Sequence, residues 1–212
     1  MVANLFRMSS LEELIAKARM LQAKGHSPSQ IADELSLSME TITWLLTQKK
    51  GSEVPKDIHI DWSGVSSHAD MLRSIATMMF TRWYHACSSP QGGAEEPELP
   101  TVVIGVAQSG IPLATLIAAE MDLRFTMYYP KKHAPGDKPV GSVSDNFSKV
   151  SGERCLIVDD VITSGNTMRE IVDFLHTHGA YPVGISVIFD KRNLRDVDGV
   201  PVCALFKVSR ID

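Results

Sequence analysis

The first fifty residues repeat apolar side chains at helical spacing and show no strand pattern. One helix is predicted over Leu11–Leu21, ending before Gly25, because apolar residues recur there every three or four positions. A second helix begins at Ser27 and Pro28, a capping serine followed by a first-turn proline. A third follows a turn at 36–38. The pattern therefore predicts an all-α domain over residues 1–50.

Beyond residue 100 the pattern changes to short, continuous apolar runs separated by helical stretches. Such runs are typical of strands buried on both faces of a parallel sheet. We predict an α/β domain over residues 61–212, in which a parallel sheet carries helices on both faces. A helix over 67–87 precedes the sheet, and residues 51–60 form a linker. Strands are predicted from 101 onward and over 124–129, 156–158 and 182–189.

The amino-acid composition is that of an ordinary globular protein. The 212 residues are 44% hydrophobic and carry a formal net charge of -4. No apolar run approaches the roughly 18 residues that span a membrane, and the N-terminus lacks a signal-peptide layout. We therefore expect a cytoplasmic protein. Cys87, Cys155 and Cys203 are too scattered for a zinc site or a disulfide framework.

The stretch from Leu156 to Thr167 carries the most informative chemistry. An apolar strand, predicted to end at Val158, leads directly into the acids Asp159 and Asp160. Open α/β sheets bind ligands at that end of a strand, and a loop opening a helix is suited to bind an anion. Two acids would repel a phosphate unless hydroxyls lay between, as in a ribose 5-phosphate. The loop residues are Thr163, Ser164, Gly165, Asn166 and Thr167.

This segment resembles the 5-phosphoribosyl-1-diphosphate (PRPP) motif of type I phosphoribosyltransferases. That motif has four apolar residues, two acids, two apolar residues and then Thr-[Thr/Ser]-Gly-x-[Thr/Ser]. The resemblance implies the fold of that superfamily, with the acids on the ribose hydroxyls and the loop on the 5′-phosphate. The alternative is a strand followed by an ordinary capped helix, with two acids in the turn.

Gln108, Ser109 and Gly110 follow an earlier apolar strand and precede a helix with a proline in its first turn. This loop is similar to the pyrophosphate loop of the same superfamily. The resemblance implies that its backbone N–H groups bind the diphosphate. Gly110 would allow a close approach or an unusual peptide geometry.

Lys131 and Lys132 follow the strand over 124–129. In orotate phosphoribosyltransferases, which this domain resembles, an Arg-Lys pair here leads into a flexible loop that closes over PRPP in the neighbouring subunit. The resemblance implies that both lysines bind the diphosphate, whereas Mg²⁺ binds through diphosphate and ribose oxygens without a direct protein ligand. Pro130 replaces the arginine and residues 134–139 do not reproduce the loop, which favours retained binding over turnover.

The second and third helices resemble a helix-turn-helix, with Ser36 at the turn position that glycine usually occupies. In that motif the last helix enters the major groove, where hydroxyl and amide side chains read base edges and lysines bind phosphate. The near balance of charge in residues 1–50 leaves a three-helix dimerisation or docking module as an alternative. The predicted DNA-facing residues are Ser38, Thr41, Thr43, Trp44, Gln48, Lys49 and Lys50.

As a whole, the chain resembles the orotate phosphoribosyltransferase-like transcriptional regulators of euryarchaea, the GfcR type. The resemblance implies a homodimeric regulator of metabolism that binds promoter DNA and senses PRPP, with Mg²⁺, or a related phosphorylated metabolite. The rival hypothesis is an active phosphoribosyltransferase that joins orotate or another base to PRPP with Mg²⁺. In that case the helical domain serves assembly, and catalysis involves Asp159, Asp160, Lys131 and Lys132.

Overall fold

The computed structural model describes residues 11–48, 55–88, 98–134 and 140–209. The chain divides into two compact units, residues 1–60 and 61–212, called here the helical unit and the sheet unit. The sheet unit thus begins at the residue predicted to open the second domain. Within the described ranges, no helix is long and apolar enough to cross a membrane.

The described part of the helical unit consists of α1 (Leu11–Ala23), α2 (Pro28–Glu34) and α3 (Met39–Thr47). Ser27 begins α2 with a capping box: its Oγ accepts from Gln30 N at 3.3 Å, and Gln30 Oε1 accepts from Ser27 N at 2.8 Å. Ser38 caps α3 by accepting from Thr41 N at 3.2 Å. The three predicted helices are confirmed.

Ser36 forms the turn between α2 and α3 and has a φ of 51°. This left-handed conformation is usually left to glycine, and here it lets the chain reverse while Leu37 N donates to Ala32 O at 2.9 Å. Apolar residues of all three helices and of this turn pack in one core. The buried side chains are Ala18, Leu21, Ile31, Ala32, Leu35, Leu37, Ile42 and Leu45.

Residues 55–60 belong to the helical unit, although the sequence predicts them as the second half of a linker. Asp57 Oδ2 accepts from Ser38 N at 2.7 Å and from Thr41 Oγ1 at 2.9 Å. His59 Nδ1 lies 2.9 Å from Leu35 O. The segment therefore contributes hydrogen-bond partners to the start of α3 and the end of α2. Residues 51–54 lie outside the described ranges.

The sheet unit is built on a mixed sheet whose described part has seven strands, in the order β3-β2-β1-β4-β5-β7-β6. Neighbours from β2 through β7 pair in parallel, whereas the edge strands β3 and β6 pair antiparallel. The predicted strands over 124–129 and 182–189 are confirmed. The strands are β1 (Val102–Val106), β2 (Arg124–Tyr129), β3 (Ser142–Val143), β4 (Arg154–Ile162), β5 (Tyr181–Asp190), β6 (Asp196–Val197) and β7 (Val200–Lys207).

Helices cover both faces of this sheet, as predicted. Successive strand residues point to opposite faces. Ile104 accordingly packs in the apolar core that includes Ile171 of α7, and Val103 packs in the core that includes Met79 of α5 and Leu113 of α6. The helices are α4 (Ser63–Ser66), α5 (Ala69–Cys87), α6 (Gly110–Glu120) and α7 (Asn166–Thr177).

Candidate functional site

The candidate site lies at the carboxyl ends of three neighbouring strands, β2, β1 and β4. Because β1 pairs in parallel with both of the others, the segments that follow these strands leave from the same edge of the sheet. Those segments are 107–110 after β1, 130–133 after β2 and 163–167 after β4. The topology thus gathers at one edge three stretches that lie far apart in the sequence.

Asp159 and Asp160 lie within β4, which continues to Ile162 instead of ending at Val158 as predicted. The strand continues because it remains paired with β5, Asp159 opposite Val187. The two acidic residues are 9% and 6% exposed. The strand therefore holds both carboxylates rigidly, whereas acids in a turn would be mobile.

Ser109 joins the first segment to these acids. Its Oγ donates to Asp160 Oδ1 at 2.7 Å and lies 3.3 Å from Asp159 Oδ1. Burial raises the pKa of the Asp160 carboxyl, and the hydrogen bond from Ser109 opposes that shift by stabilising the charged form. A ligand that supplies further hydroxyl donors would stabilise the ionised carboxylate in the same way.

Gly110 is the first residue of α6 and lies directly against β4. A Cβ at this position would collide with the carbonyl oxygen of Val158 and lie 3.0 Å from Asp159 Cα. Only glycine therefore brings the loop this near to the acids. Gln108 is exposed at the same edge, and the Ala107–Gln108 peptide bond is cis.

Gly165 begins α7 with a φ of 82° and makes no side-chain cap. The first backbone N–H groups of a helix have no partner inside it, and the helix dipole favours an anion at this end. Ser164 and Asn166 are exposed around this helix start, whereas Thr163 and Thr167 are half-buried. The five predicted loop residues thus lie around a helix N-terminus, a position that favours anions in general.

Lys131 and Lys132 lie in a single 3₁₀ turn, Lys131–His133, directly after β2, and both are exposed. Glu170 of α7 fastens this turn: its Oε1 accepts from Lys131 N at 2.7 Å and from Tyr128 Oη at 3.0 Å. Glu170 was not predicted. Its partners lie at the end of β2 and just after it, far from α7 in the sequence, and the motif does not include it. The loop beyond Ala134 lies outside the described ranges as far as residue 139.

On α3, the structure separates the predicted DNA-facing residues. Thr43 and Gln48 are exposed. Thr41 is buried, and its hydroxyl donates to Asp57; the prediction that it faces outward is wrong, because it supports the start of the helix. Ser38 is half-buried as the cap of α3. Lys49 and Lys50 lie outside the described ranges.

Trp44 packs half-buried against the core of the helical unit. Its indole Nε1 is buried and has no hydrogen-bond partner among the described residues. Gln48, one turn further on, accepts from Arg19 Nη2 at 3.1 Å. Thr43 Oγ1 donates to Met39 O at 2.8 Å, so each predicted reading residue of α3 in the described ranges already makes a contact inside the helical unit.

The fold is that of the phosphoribosyltransferase class. The family model described as "Phosphoribosyl transferase domain" matches residues 94–210. An adenine phosphoribosyltransferase from Thermoanaerobacter pseudethanolicus superposes with a TM-score of 0.54 at 15% identity, covering 74% of this chain and 91% of that chain. For an orotate phosphoribosyltransferase from Aeropyrum pernix the TM-score is 0.51 at 19% identity, over 75% and 83% of the two chains. At these identities the likeness is one of fold.

Similarity to curated proteins extends over nearly the whole chain. A "Transcriptional regulator GfcR" of Methanospirillum hungatei is 56% identical over 205 residues, covering 97% of this chain and 100% of the relative. The protein of the same name from Methanothrix thermoacetophila is 43% identical over 210 residues, covering the same shares. The chain therefore belongs to the family of GfcR transcriptional regulators.

Proposed function

We propose that this protein is a DNA-binding transcriptional regulator of metabolism whose sheet unit binds PRPP or a related phosphorylated metabolite. One observation carries the ligand proposal: Ser109 Oγ contacts the buried acid pair near the carboxyl end of β4, the strand that leads into α7. Diphosphate loop, ribose acids and phosphate loop thus meet at one sheet edge. The family supports the regulatory part of the proposal.

In the proposed complex, the ribose 2′ and 3′ hydroxyls donate to Asp159 and Asp160, and the 5′-phosphate binds the loop over 163–167. The N–H groups of the loop over 108–110 bind the diphosphate, and Lys131 and Lys132 add positive charge. Mg²⁺ binds through diphosphate and ribose oxygens, since this ion keeps several waters and prefers phosphate ligands. Within the described residues, no group of three or more His, Cys, Asp or Glu side chains is arranged to hold a metal.

The DNA-binding part of the proposal assigns α3 to the major groove of promoter DNA. Thr43 and Gln48 are the exposed candidates for base edges, with Lys49 and Lys50 for phosphates. We further propose a homodimer, because two recognition helices bind neighbouring half-sites. PRPP would then regulate DNA binding through different affinities for two arrangements of the dimer.

The decisive experiment measures binding of the full-length protein to fluorescent duplexes, with PRPP and Mg²⁺ present or absent. We expect a preference for promoter fragments over random duplex, a steep salt dependence and a shift of affinity when PRPP is added. Thr43→Ala should weaken promoter binding without lowering thermal stability. Equal affinity for promoter and random DNA at every salt concentration would refute the regulatory proposal.

An active phosphoribosyltransferase is the second candidate, favoured by one observation: acid pair, diphosphate loop and exposed lysines all lie at the same sheet edge. Pyrophosphate release from PRPP with orotate, uracil, hypoxanthine or adenine tests this function. The Asp159→Asn/Asp160→Asn double variant is the control. Release above that control would establish turnover, and its absence from protein that binds PRPP would identify a sensor.

A further inference from the structure

Glu170 connects the phosphate-loop helix to the turn that carries the two lysines. Its Oε1 accepts from the backbone N–H of Lys131 at 2.7 Å and from Tyr128 Oη at 3.0 Å. Both donors lie at the end of β2, whereas Glu170 lies on α7. One carboxylate thus ties the segment after β2 to the helix whose N-terminus forms the candidate phosphate site.

The chain also approaches this carboxylate at a second place, Gly141. A Cβ on Gly141 would lie 2.5 Å from Glu170 Oε1 and would collide with the Tyr128 hydroxyl. Only glycine therefore fits where the chain runs into β3. The backbone at Lys131 and the backbone at Gly141 therefore both lie against the Glu170 carboxylate.

We propose that Glu170 is a positioning residue for diphosphate recognition: by holding the backbone of Lys131, it sets the approach of Lys131 and Lys132 to the ligand. This inference rests on the proposed PRPP binding. It also explains why a carboxylate is present so close to an anion site, where its charge by itself opposes binding. Glu170 touches the ligand nowhere in this proposal and acts only through the lysine turn.

A purely electrostatic role of Glu170 and a positioning role predict opposite changes in PRPP affinity when Glu170 is removed. This difference makes the inference testable. If Glu170 acted only as a charge, its removal would strengthen the binding of any phosphorylated ligand. If it positions the lysines, its removal weakens the binding of PRPP and spares ribose 5-phosphate, which lacks the diphosphate. A purely structural residue would instead lower the affinity for both ligands.

The test is calorimetric titration of the full-length protein with PRPP and, separately, with ribose 5-phosphate, both with Mg²⁺. Glu170→Ala should weaken PRPP binding about tenfold and change ribose 5-phosphate binding less than about twofold. Glu170→Gln retains an acceptor oxygen and should restore most of the PRPP affinity. Asp173→Ala is the matched control, because it removes an exposed carboxylate from the same helix.

A double-mutant cycle tests the route through the lysines. In a Lys131→Ala/Lys132→Ala background, Glu170→Gln and Glu170→Ala should have no further effect on PRPP affinity. An unchanged or increased PRPP affinity in Glu170→Ala, or equal losses for both ligands, would overturn the inference. If Glu170→Ala does not fold, Glu170→Asp, whose shorter side chain draws the carboxylate away from Lys131 N, takes its place in both titrations and in the cycle, with the same expected loss of PRPP affinity. Wild-type protein that binds neither ligand would refute the proposed function itself.

Discussion

Each unit contains an aspartate that accepts a hydrogen bond from a hydroxyl, but the two arrangements serve different ends. In the helical unit, Asp57 accepts hydrogen bonds from Thr41 Oγ1 and from the backbone N–H groups of Ser38 and Ile58. In the sheet unit, Asp160, near the carboxyl end of β4, accepts a hydrogen bond from Ser109 Oγ. The contact alone therefore does not indicate a ligand site.

What separates the two arrangements is their surroundings. Asp57 is half-buried, and its oxygens complete the start of α3, where unpaired N–H groups need an acceptor. Asp160 is buried, and its carboxyl has a raised pKa because burial disfavours the charged form. A charge held where the fold does not need it is typical of a binding site. The following predictions test this contrast, from the largest expected effect to the smallest.

Replacing both acids of the sheet unit should have the largest effect. Asp159→Asn/Asp160→Asn removes the acceptors proposed for the ribose hydroxyls and should weaken PRPP binding on the order of a hundredfold. Thermal stability should be unchanged or higher, because a neutral amide is cheaper to bury than a carboxylate. Calorimetric titration and thermal unfolding measure both effects. A large loss of stability would show that the pair is structural, like Asp57.

Gly110→Ala should lower the stability of the sheet unit by about 1–3 kcal/mol, because its Cβ would meet the Val158 carbonyl and push the loop from the acids. Denaturant unfolding gives the free energy, and titration should show weaker PRPP binding. Gly64→Ala is the matched control, since a Cβ there meets nothing within 4 Å. Equal stability of the two variants would contradict the close contact.

Asp57→Ala should lower the stability of the helical unit by about 0.5–2 kcal/mol, the range for loss of a helix cap. PRPP affinity should not change, since this acid is assigned to structure. Thermal unfolding monitored by circular dichroism gives the first quantity and titration the second. Asp57→Asn, which keeps an acceptor oxygen, should retain part of the stability; weakened PRPP binding in either variant would break the contrast between the two acids.

The pH dependence of stability should show the smallest effect. Because burial raises the pKa of Asp160 above its ordinary value of 3.8, the folded protein binds this proton more tightly than the unfolded chain. Below that value both states are protonated and nothing is lost. As pH rises through the folded pKa, wild-type protein should lose stability relative to Asp160→Asn. Unfolding free energies measured at several pH values check the sign, and a difference independent of pH would contradict it.

Much of the fold follows from local pattern. Continuous apolar runs predict the strands, and Ser27 followed by Pro28 marks a helix start, because these signals depend on residues near each other in the chain. The wrong predictions have a common cause. β4 extends through Asp159 and Asp160 because β5 pairs with it, and Thr41 turns inward because Asp57 accepts its hydroxyl. Both outcomes depend on partners distant in sequence.

The candidate site likewise contains residues that the sequence predicts and one that only the structure reveals. The motif over 156–167 and the loop over 108–110 are recognisable from sequence, because each consists of particular residue types at fixed spacing in one short stretch. Glu170 is not recognisable from sequence. Its partners lie at the end of β2 and in the turn after it, and one of them is a backbone N–H. The sequence by itself determined the residue types, the apolar periodicity and the family. Only the tertiary structure decided which distant groups share a hydrogen bond, since strand pairing and helix packing, not chain order, set those distances.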